Sequence, residues 1–191
     1  NINAGSPSFA EMNSGLRIAQ SYAAFGVSAT TANRFVGGLQ DNGVWAFNGT
    51  SWSKEMGGDG GACVIAPNND NVVYASNDAR SVSKSTGGIT GAYNGTLASW
   101  AFVADDRTGF MAPIAISRSN PDVVYVASDN LHRTANAGGS WTNTGTGSAN
   151  YIEARFKTGI AMAVSPVNPN KVYVSLSPFS QRIDNNLNVV G

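Results

Sequence analysis

Apolar and polar positions alternate along this chain in short blocks, and one block pattern recurs about every 50 residues. Each copy has a short apolar run, then a polar cluster rich in Asn, Pro and Asp, then a β-branched run that ends in tyrosine. The clearest copies span 66–75, 117–126 and 165–174. Their tyrosines are Tyr74, Tyr125 and Tyr173, which are 51 and 48 residues apart. Turn-forming residues between two short apolar runs are typical of a β-hairpin.

The pattern predicts specific strands. The apolar runs 63–66, 114–116 and 161–164 are expected to be buried inner strands. Each should pair antiparallel with the run that follows it, at 72–75, 123–127 and 172–176. A weaker copy at 29–38 places Phe35 in the tyrosine position. Only residues 10–22 could form a short helix, and Gly15 interrupts that pattern.

A repeat of 40–50 residues with four short strands is the period of a β-propeller blade. The predicted fold class is therefore all-β, built of propeller blades that are four-stranded antiparallel sheets. The expected division is a blade end at 1–15, blades at about 16–56, 57–104 and 105–150, and the start of another blade at 151–191. We expect these blades to be part of a propeller of six to eight blades. The alternative is a four-bladed ring in which the two ends of the chain complete one blade.

A second marker supports this division. The segment 134–141 resembles the Asp-box, S-x-D-x-G-x-T-W, with Asn136 in the aspartate position and Trp141 at its end. Shorter versions end at Phe9, Trp52 and Trp100. The Asn136 side chain should bond backbone amides of its own turn, and Trp141 should pack against an adjacent blade. Together with the hairpin repeat, this motif resembles the Asp-box (BNR-type) superfamily, which includes sialidases, sortilin-type receptor domains and the family 74 xyloglucanases.

The xyloglucanase resemblance supplies candidate site residues. That family places a catalytic aspartate after an inner-blade strand, in a D-x-G-G context followed by aromatic residues. The segment 35–47 is similar in layout and puts Asp41 at the catalytic position, and Asp59 is a second aspartate flanked by glycines. The resemblance implies that Asp41 is catalytic. We expect Asp59, in its own glycine-flanked context, to be catalytic too, and Gln40 and Trp45 to bind substrate.

The residues also allow a structural interpretation, because Asp41-Asn42-Gly43 could be a tight turn and Asp59 could lie in a crossover between blades. Glycoside hydrolysis needs two carboxyl groups facing each other across a sugar, about 5–5.5 Å apart for retention or about 6.5–9.5 Å for inversion. In the family, the two carboxylates come from separate propeller domains. The residues of this chain are expected to make up less than one such domain.

The composition of the chain narrows the classes of partner and cofactor that we expect it to bind. Charged residues make up 13% of the chain and the formal net charge is zero, so no basic surface for nucleic acid is expected. No apolar stretch reaches the roughly 18 residues of a membrane span. Cys63 and His132 are the only residues of their types, so we expect neither a disulfide framework nor a zinc site. No phosphate-binding or dinucleotide motif is present, and hence no metal or cofactor is expected.

The resulting prediction is a secreted or cell-surface propeller with a carbohydrate-linked function. Its partner would be a polysaccharide or a cell-surface glycan, and the reaction, if there is one, hydrolysis of a β-glucan or xyloglucan-type polymer. The alternative is a non-catalytic interaction or adhesion propeller that binds an extracellular protein. Whether the protein is an enzyme is left open by the sequence.

Overall fold

The computed structural model describes residues 18–23, 25–77, 81–85, 87–89, 111–127, 130–144, 159–176, 182–183 and 189–190. The expected blade end at 1–15 and the markers ending at Phe9 and Trp100 lie outside these residues. Over the described ranges the regular structure consists of antiparallel strands, and none of it is helical. Within the same ranges, no helix is long and apolar enough to cross a membrane.

The strands form successive sheets in chain order. The first sheet has the order β1-β2-β3-β4, with β1 at Gly26–Val27, β2 at Phe35–Leu39, β3 at Gly43–Phe47 and β4 at Trp52–Met56. The second sheet contains β5 at Gly60–Ala66, β6 at Asn69–Asn77 and β7 at Ser81–Ser85. The third contains β8 at Ile114–Ile116, β9 at Val124–Ala127, β10 at Leu131–Thr134 and β11 at Thr142–Asn143. The fourth pairs β12 at Gly159–Val164 with β13 at Val172–Leu176, and a separate hairpin pairs β14 at Arg182–Ile183 with β15 at Val189–Val190.

The inner strands of the four sheets are neighbours. Strand β5 contacts both β1 and β8, and β8 contacts β12. All four strands contribute residues to the wall of one cavity of about 440 Å³. Sheets arranged side by side around their inner strands are propeller blades, so the predicted all-β blade architecture is confirmed. The three predicted hairpins are also present, as β5–β6, β8–β9 and β12–β13.

Apolar side chains fill the seams between consecutive sheets. Because side chains alternate across a strand, each sheet turns one face to the next sheet along the chain and the other face to the previous one. We call these the forward face and the rear face. Three buried clusters occupy the three seams: Val36, Val44 and Ala46 with Cys63, Ile65, Val73, Ala75 and Ile89; Tyr74 and Val82 with Ala112, Ile114, Val124 and Val126; and Val123, Tyr125, Ala127 and Leu131 with the half-buried Met162, Val164, Val172 and Val174.

The burial predicted for the inner strands is correct for two of the three runs. Residues of 63–66 and 114–116 are buried or half-buried. The prediction is wrong for 161–164, where Ala161 and Ala163 are exposed and only Met162 and Val164 are half-buried. The exposed pair points from the forward face of the fourth sheet, where no buried cluster of described residues lies.

The weak copy of the repeat is displaced by one residue from its predicted register. The amide of Ser28 donates to the carbonyl of Arg34 at 2.9 Å, just as the Ser117 amide donates to Val123. Eight residues after Ser117 comes Tyr125, and eight after Ser28 comes Val36. Val36, and not Phe35, therefore occupies the tyrosine position. A one-residue slip in a strand exchanges the two faces, so Phe35 lies on the rear face.

The predicted turn at 134–141 has the expected geometry. The Asn136 Oδ1 accepts hydrogen bonds from the Ser140 amide at 2.8 Å and from the Thr134 hydroxyl at 2.9 Å. Trp141 packs against the cluster between the second and third sheets. The Lys84 ammonium donates to the Ala137 carbonyl at 2.6 Å, and this bond ties the second sheet to the turn of the third.

Candidate functional site

Both candidate aspartates lie at the same end of the first sheet. Asp41 is in the turn between β2 and β3, with a φ of +57°, and it is exposed. Asp59 is half-buried in the connection from β4 to β5. The Asp41 amide donates a hydrogen bond of 2.7 Å to Asp59 Oδ1. Two aspartates 18 residues apart in sequence are thus held side by side.

The glycines near these aspartates allow the first two sheets to approach each other closely. A Cβ at Gly60 would overlap the carbonyl of Gly43 and lie 2.7 Å from the Cα of Gly38. Gly43 itself has a φ of +77°, a conformation that L side chains rarely adopt. The local backbone therefore agrees with the structural interpretation of both residues: Asp41 lies in a tight turn, and Asp59 lies in the crossover between two sheets.

Tyr22, which is not predicted from the sequence, is a third member of the cluster. The segment that carries it lies along the end of β2, where the Gln40 amide donates to the Gln20 carbonyl at 2.8 Å. The hydroxyl of Ser21 donates to the Gly38 carbonyl at 3.2 Å. Partial desolvation, followed by the negative charges of Asp59 and Asp41, raises the pKa of the Tyr22 phenol. Only the tertiary fold brings Tyr22 to this place, and no local motif marks it.

Gln40 and Trp45, the predicted substrate-binding residues, flank the same turn. Gln40 is half-buried, and its carbonyl accepts a 2.8 Å bond from the Asn42 side-chain amide. The Trp45 indole Nε1 donates to the Asn42 carbonyl at 2.8 Å. Trp45 also borders a cavity of about 590 Å³ whose wall includes Leu39 and Trp52. An apolar hollow therefore begins directly beside the aspartate turn, on the rear face of the first sheet.

This arrangement offers carboxylate acceptors, a phenol donor and an indole within one end of a sheet. Such groups suit hydrogen bonding to sugar hydroxyls and proton transfer at a glycosidic oxygen. Burial raises the pKa of the Cys63 thiol to about 12, so it remains a protonated, inert side chain. Among the residues that the structure describes, no group of three or more His, Cys, Asp or Glu side chains is placed to hold a metal ion.

Comparison with known proteins supports the fold. A solved structure described as an ancestral GH74 enzyme is similar, with a TM-score of 0.55 and 18% sequence identity. The similarity covers 79% of this chain and 21% of that chain, so the chain spans about a fifth of that enzyme's length. No protein-family model matches the sequence, and no curated protein matches it either. At this identity the likeness shows a shared fold, and that fold is the β-propeller blade architecture.

Proposed function

We propose that this chain belongs to a secreted, carbohydrate-active β-propeller that hydrolyses a β-glucan or xyloglucan-type polysaccharide. The blade fold that it shares with a GH74 enzyme supports a carbohydrate substrate. The observation that carries the proposal is the hydrogen bond between the Asp41 amide and Asp59, because it gathers two carboxylates at one end of a blade. In this proposal the sheets are successive blades at about 16–56, 57–104, 105–150 and 151–191.

The two aspartates have different surroundings and therefore different proposed tasks. Asp41 is exposed and its carboxylate is available to a polysaccharide at the end of the blade. Asp59 is half-buried, and one of its oxygens holds the Asp41 backbone. We assign to Asp41 the transfer of a proton to the glycosidic oxygen as that oxygen leaves and water attacks the sugar. Asp59 fixes the turn, and its negative charge stabilises the positive charge that develops on the sugar. Gln40 and Trp45 bind the neighbouring sugar units.

The second candidate function is a non-catalytic interaction propeller for an extracellular partner. The observation that favours it is the structural use of the same residues: Asp59 bonds a backbone amide, and Gly60 packs against the backbone of the first sheet. A turn built in this way would exist whether or not it performs any chemistry.

Hydrolysis of a panel of β-glucans that includes xyloglucan separates the two functions. The Asp41→Asn variant should lower kcat about 10²–10⁴-fold, the usual contribution of general acid–base catalysis, and retain glycan binding. Asp59→Asn should lower kcat as well, because it weakens the bond that positions Asp41. Trp45→Ala and Gln40→Ala should raise KM more than they change kcat.

Asp122→Asn is the matched control, because Asp122 is an exposed aspartate in the turn between β8 and β9 of the third sheet. Its activity should equal that of the parent. If the parent neither hydrolyses nor binds any glycan in the panel, the carbohydrate function is wrong and the interaction propeller replaces it. If hydrolysis is unchanged in both Asp41→Asn and Asp59→Asn, the active site lies elsewhere.

A further inference from the structure

Backbone contacts of its neighbours hold Tyr22 at the end of β2. Ser21 pairs with Leu39 in an antiparallel bridge. The Ser21 hydroxyl lies 2.6 Å from the Ala23 carbonyl, which closes a tight bend around Tyr22. The same hydroxyl lies 3.2 Å from the Gly38 carbonyl, which joins the bend to the strand. The place of Tyr22 is therefore set by the residues beside it and not by its own side chain.

The end of β2 that carries this bend also touches the crossover that carries Asp59. A Cβ at Gly38 would overlap the carbonyl of Gly60, the residue that follows Asp59. At the same contact, the Asp41 amide donates to Asp59 at 2.7 Å. Desolvation, followed by the charges of Asp59 and then Asp41, raises the pKa of the Tyr22 phenol, as expected for a group close to both carboxylates. Backbone packing and electrostatics thus place the phenol in one cluster with the two aspartates.

The phenol gives this cluster a kind of group that the aspartates do not supply. Ionised carboxylates only accept hydrogen bonds, whereas a phenol with a raised pKa stays protonated and can donate one. The Asp41 amide and the Trp45 indole are also donors, and both already bond the protein. Sugar hydroxyl groups both donate and accept, and a hydroxyl proton rotates to suit its acceptor. The Tyr22 hydroxyl can therefore turn toward an oxygen of a bound sugar.

We propose that Tyr22 is a further substrate-binding residue of this site and that its hydroxyl donates a hydrogen bond to a hydroxyl oxygen of the sugar unit beside Asp41. This role rests on the glycan binding of the proposed function, but not on hydrolysis. The carboxylate and the phenol then hold complementary parts of one sugar. A sugar that lacks the oxygen opposite Tyr22 should bind less tightly, so Tyr22 contributes to specificity.

Calorimetric titration of the full-length protein with a xyloglucan oligosaccharide measures the contribution of this hydroxyl. Asp41→Asn is the starting variant, because it should retain glycan binding without hydrolysing the probe. Adding Tyr22→Phe removes one oxygen and should raise the dissociation constant about threefold to tenfold, the usual contribution of one neutral hydrogen bond. Adding Tyr173→Phe instead makes the same chemical change in β13 of the fourth sheet and should leave the dissociation constant unchanged. With Asp41 intact, Tyr22→Phe should raise KM by the same factor and change kcat by less than about twofold.

Carbon-13 labelling of the tyrosine Cζ atoms gives a readout that a purely structural role would not move. The Tyr22 signal is identified by its loss in Tyr22→Phe and by its movement in Asp59→Asn. It should shift when the oligosaccharide is added, because its hydroxyl then bonds the sugar, and the Tyr173 signal should stay in place. If Tyr22→Phe lacks native circular dichroism, this shift in the Asp41→Asn protein decides the question by itself.

The failure of this role and the failure of the proposed function give different results. An unchanged dissociation constant in a natively folded Tyr22→Phe variant, in a protein that binds the oligosaccharide, would overturn the role of Tyr22 and leave the proposed function standing. Equal losses in Tyr22→Phe and Tyr173→Phe, or a Tyr22 signal that does not respond to saturating oligosaccharide, would overturn it as well. If the parent and Asp41→Asn bind no glycan of the β-glucan panel, the proposed function fails and the role of Tyr22 fails with it.

Discussion

Replacing tyrosine by phenylalanine in two equivalent positions should have opposite effects on stability. The hydroxyl of Tyr125 donates to the Pro169 carbonyl at 2.9 Å and accepts from Arg133 Nε at 3.3 Å. The hydroxyl of Tyr74 is also buried, but it finds no hydrogen-bond partner in the described part of the chain. Both rings pack in a seam between sheets, so removal of one oxygen leaves the apolar contacts in place.

The magnitudes follow from these hydrogen-bond partners. Tyr125→Phe removes both hydrogen bonds of this hydroxyl and takes a donor from the carbonyl of the half-buried Pro169, which should lower the free energy of unfolding by about 1–3 kcal/mol. In the parent, burying the Tyr74 hydroxyl without a hydrogen bond costs about 1–3 kcal/mol, and Tyr74→Phe removes that cost. That variant should be neutral or more stable than the parent. Tyr173→Phe is the internal control, since its side chain is 60% exposed and the change should stay within about 0.5 kcal/mol.

Urea denaturation measures these differences. With an unchanged m-value, the midpoint should fall for Tyr125→Phe and stay or rise for Tyr74→Phe. In thermal unfolding, each kcal/mol should correspond to about 2–4 °C in a chain of this length. Equal destabilisation by Tyr74→Phe and Tyr125→Phe would show that the Tyr74 hydroxyl has a partner of its own, and the reasoning would be refuted.

Three further predictions concern the seams and turns. Gly60→Ala should destabilise the fold by more than about 2 kcal/mol in the same urea titration, because the new methyl group overlaps the backbone of the first sheet. Gly57→Ala is the control: a Cβ there would meet no atom within 4 Å, so stability should change by less than about 1 kcal/mol. Burial alone would raise the pKa of Asp70, but hydrogen bonds from neighbouring hydroxyls and the charge of Arg34 hold it below its ordinary value. As the pH falls, the Asp70 carboxylate is therefore protonated in the unfolded chain before it is protonated in the folded one. The stability that Asp70 contributes is present at neutral pH and is lost below about pH 4, so Asp70→Asn should weaken the pH dependence of the free energy of unfolding. Trp141→Ala should cost about 2–4 kcal/mol, somewhat less than a fully buried tryptophan, and a loss below 1 kcal/mol in urea would contradict its packing in the seam.

The hairpins could be predicted because their signal is local. Three runs of apolar residues, turn residues and β-branched residues occur in the same order, and each specifies two strands and the turn between them. The local pattern does not determine which face of a strand a given residue occupies. In the weak copy, Phe35 and Val36 are both apolar and adjacent, so hydrophobicity alone does not select which of them faces the next sheet. The hydrogen bond between Ser28 and Arg34 settles the register, and it exists only in the folded turn.

The candidate site was predictable only in part for a similar reason. Asp41 and Asp59 could be selected from their glycine-flanked context, but their contact depends on how the first two sheets pack. Tyr22 has no motif around it and joins the cluster through backbone pairing of its segment with the end of β2. The exposure of Ala161 and Ala163 was likewise beyond local pattern, because burial of a strand depends on whether another sheet covers it.

The seam between the first and second sheets explains why the candidate site forms where it does. At this seam alone among the three described, the tyrosine position holds a smaller residue, Val36. The same seam brings backbone against backbone: a Cβ at Gly26 would lie 2.8 Å from the Cys63 carbonyl. Because Val36 is fully buried in this seam, we expect a tyrosine ring at its position to push the two sheets apart and to break the 2.7 Å bond between the Asp41 amide and Asp59. We infer that the small residues of this seam allow the two aspartates to meet at its end.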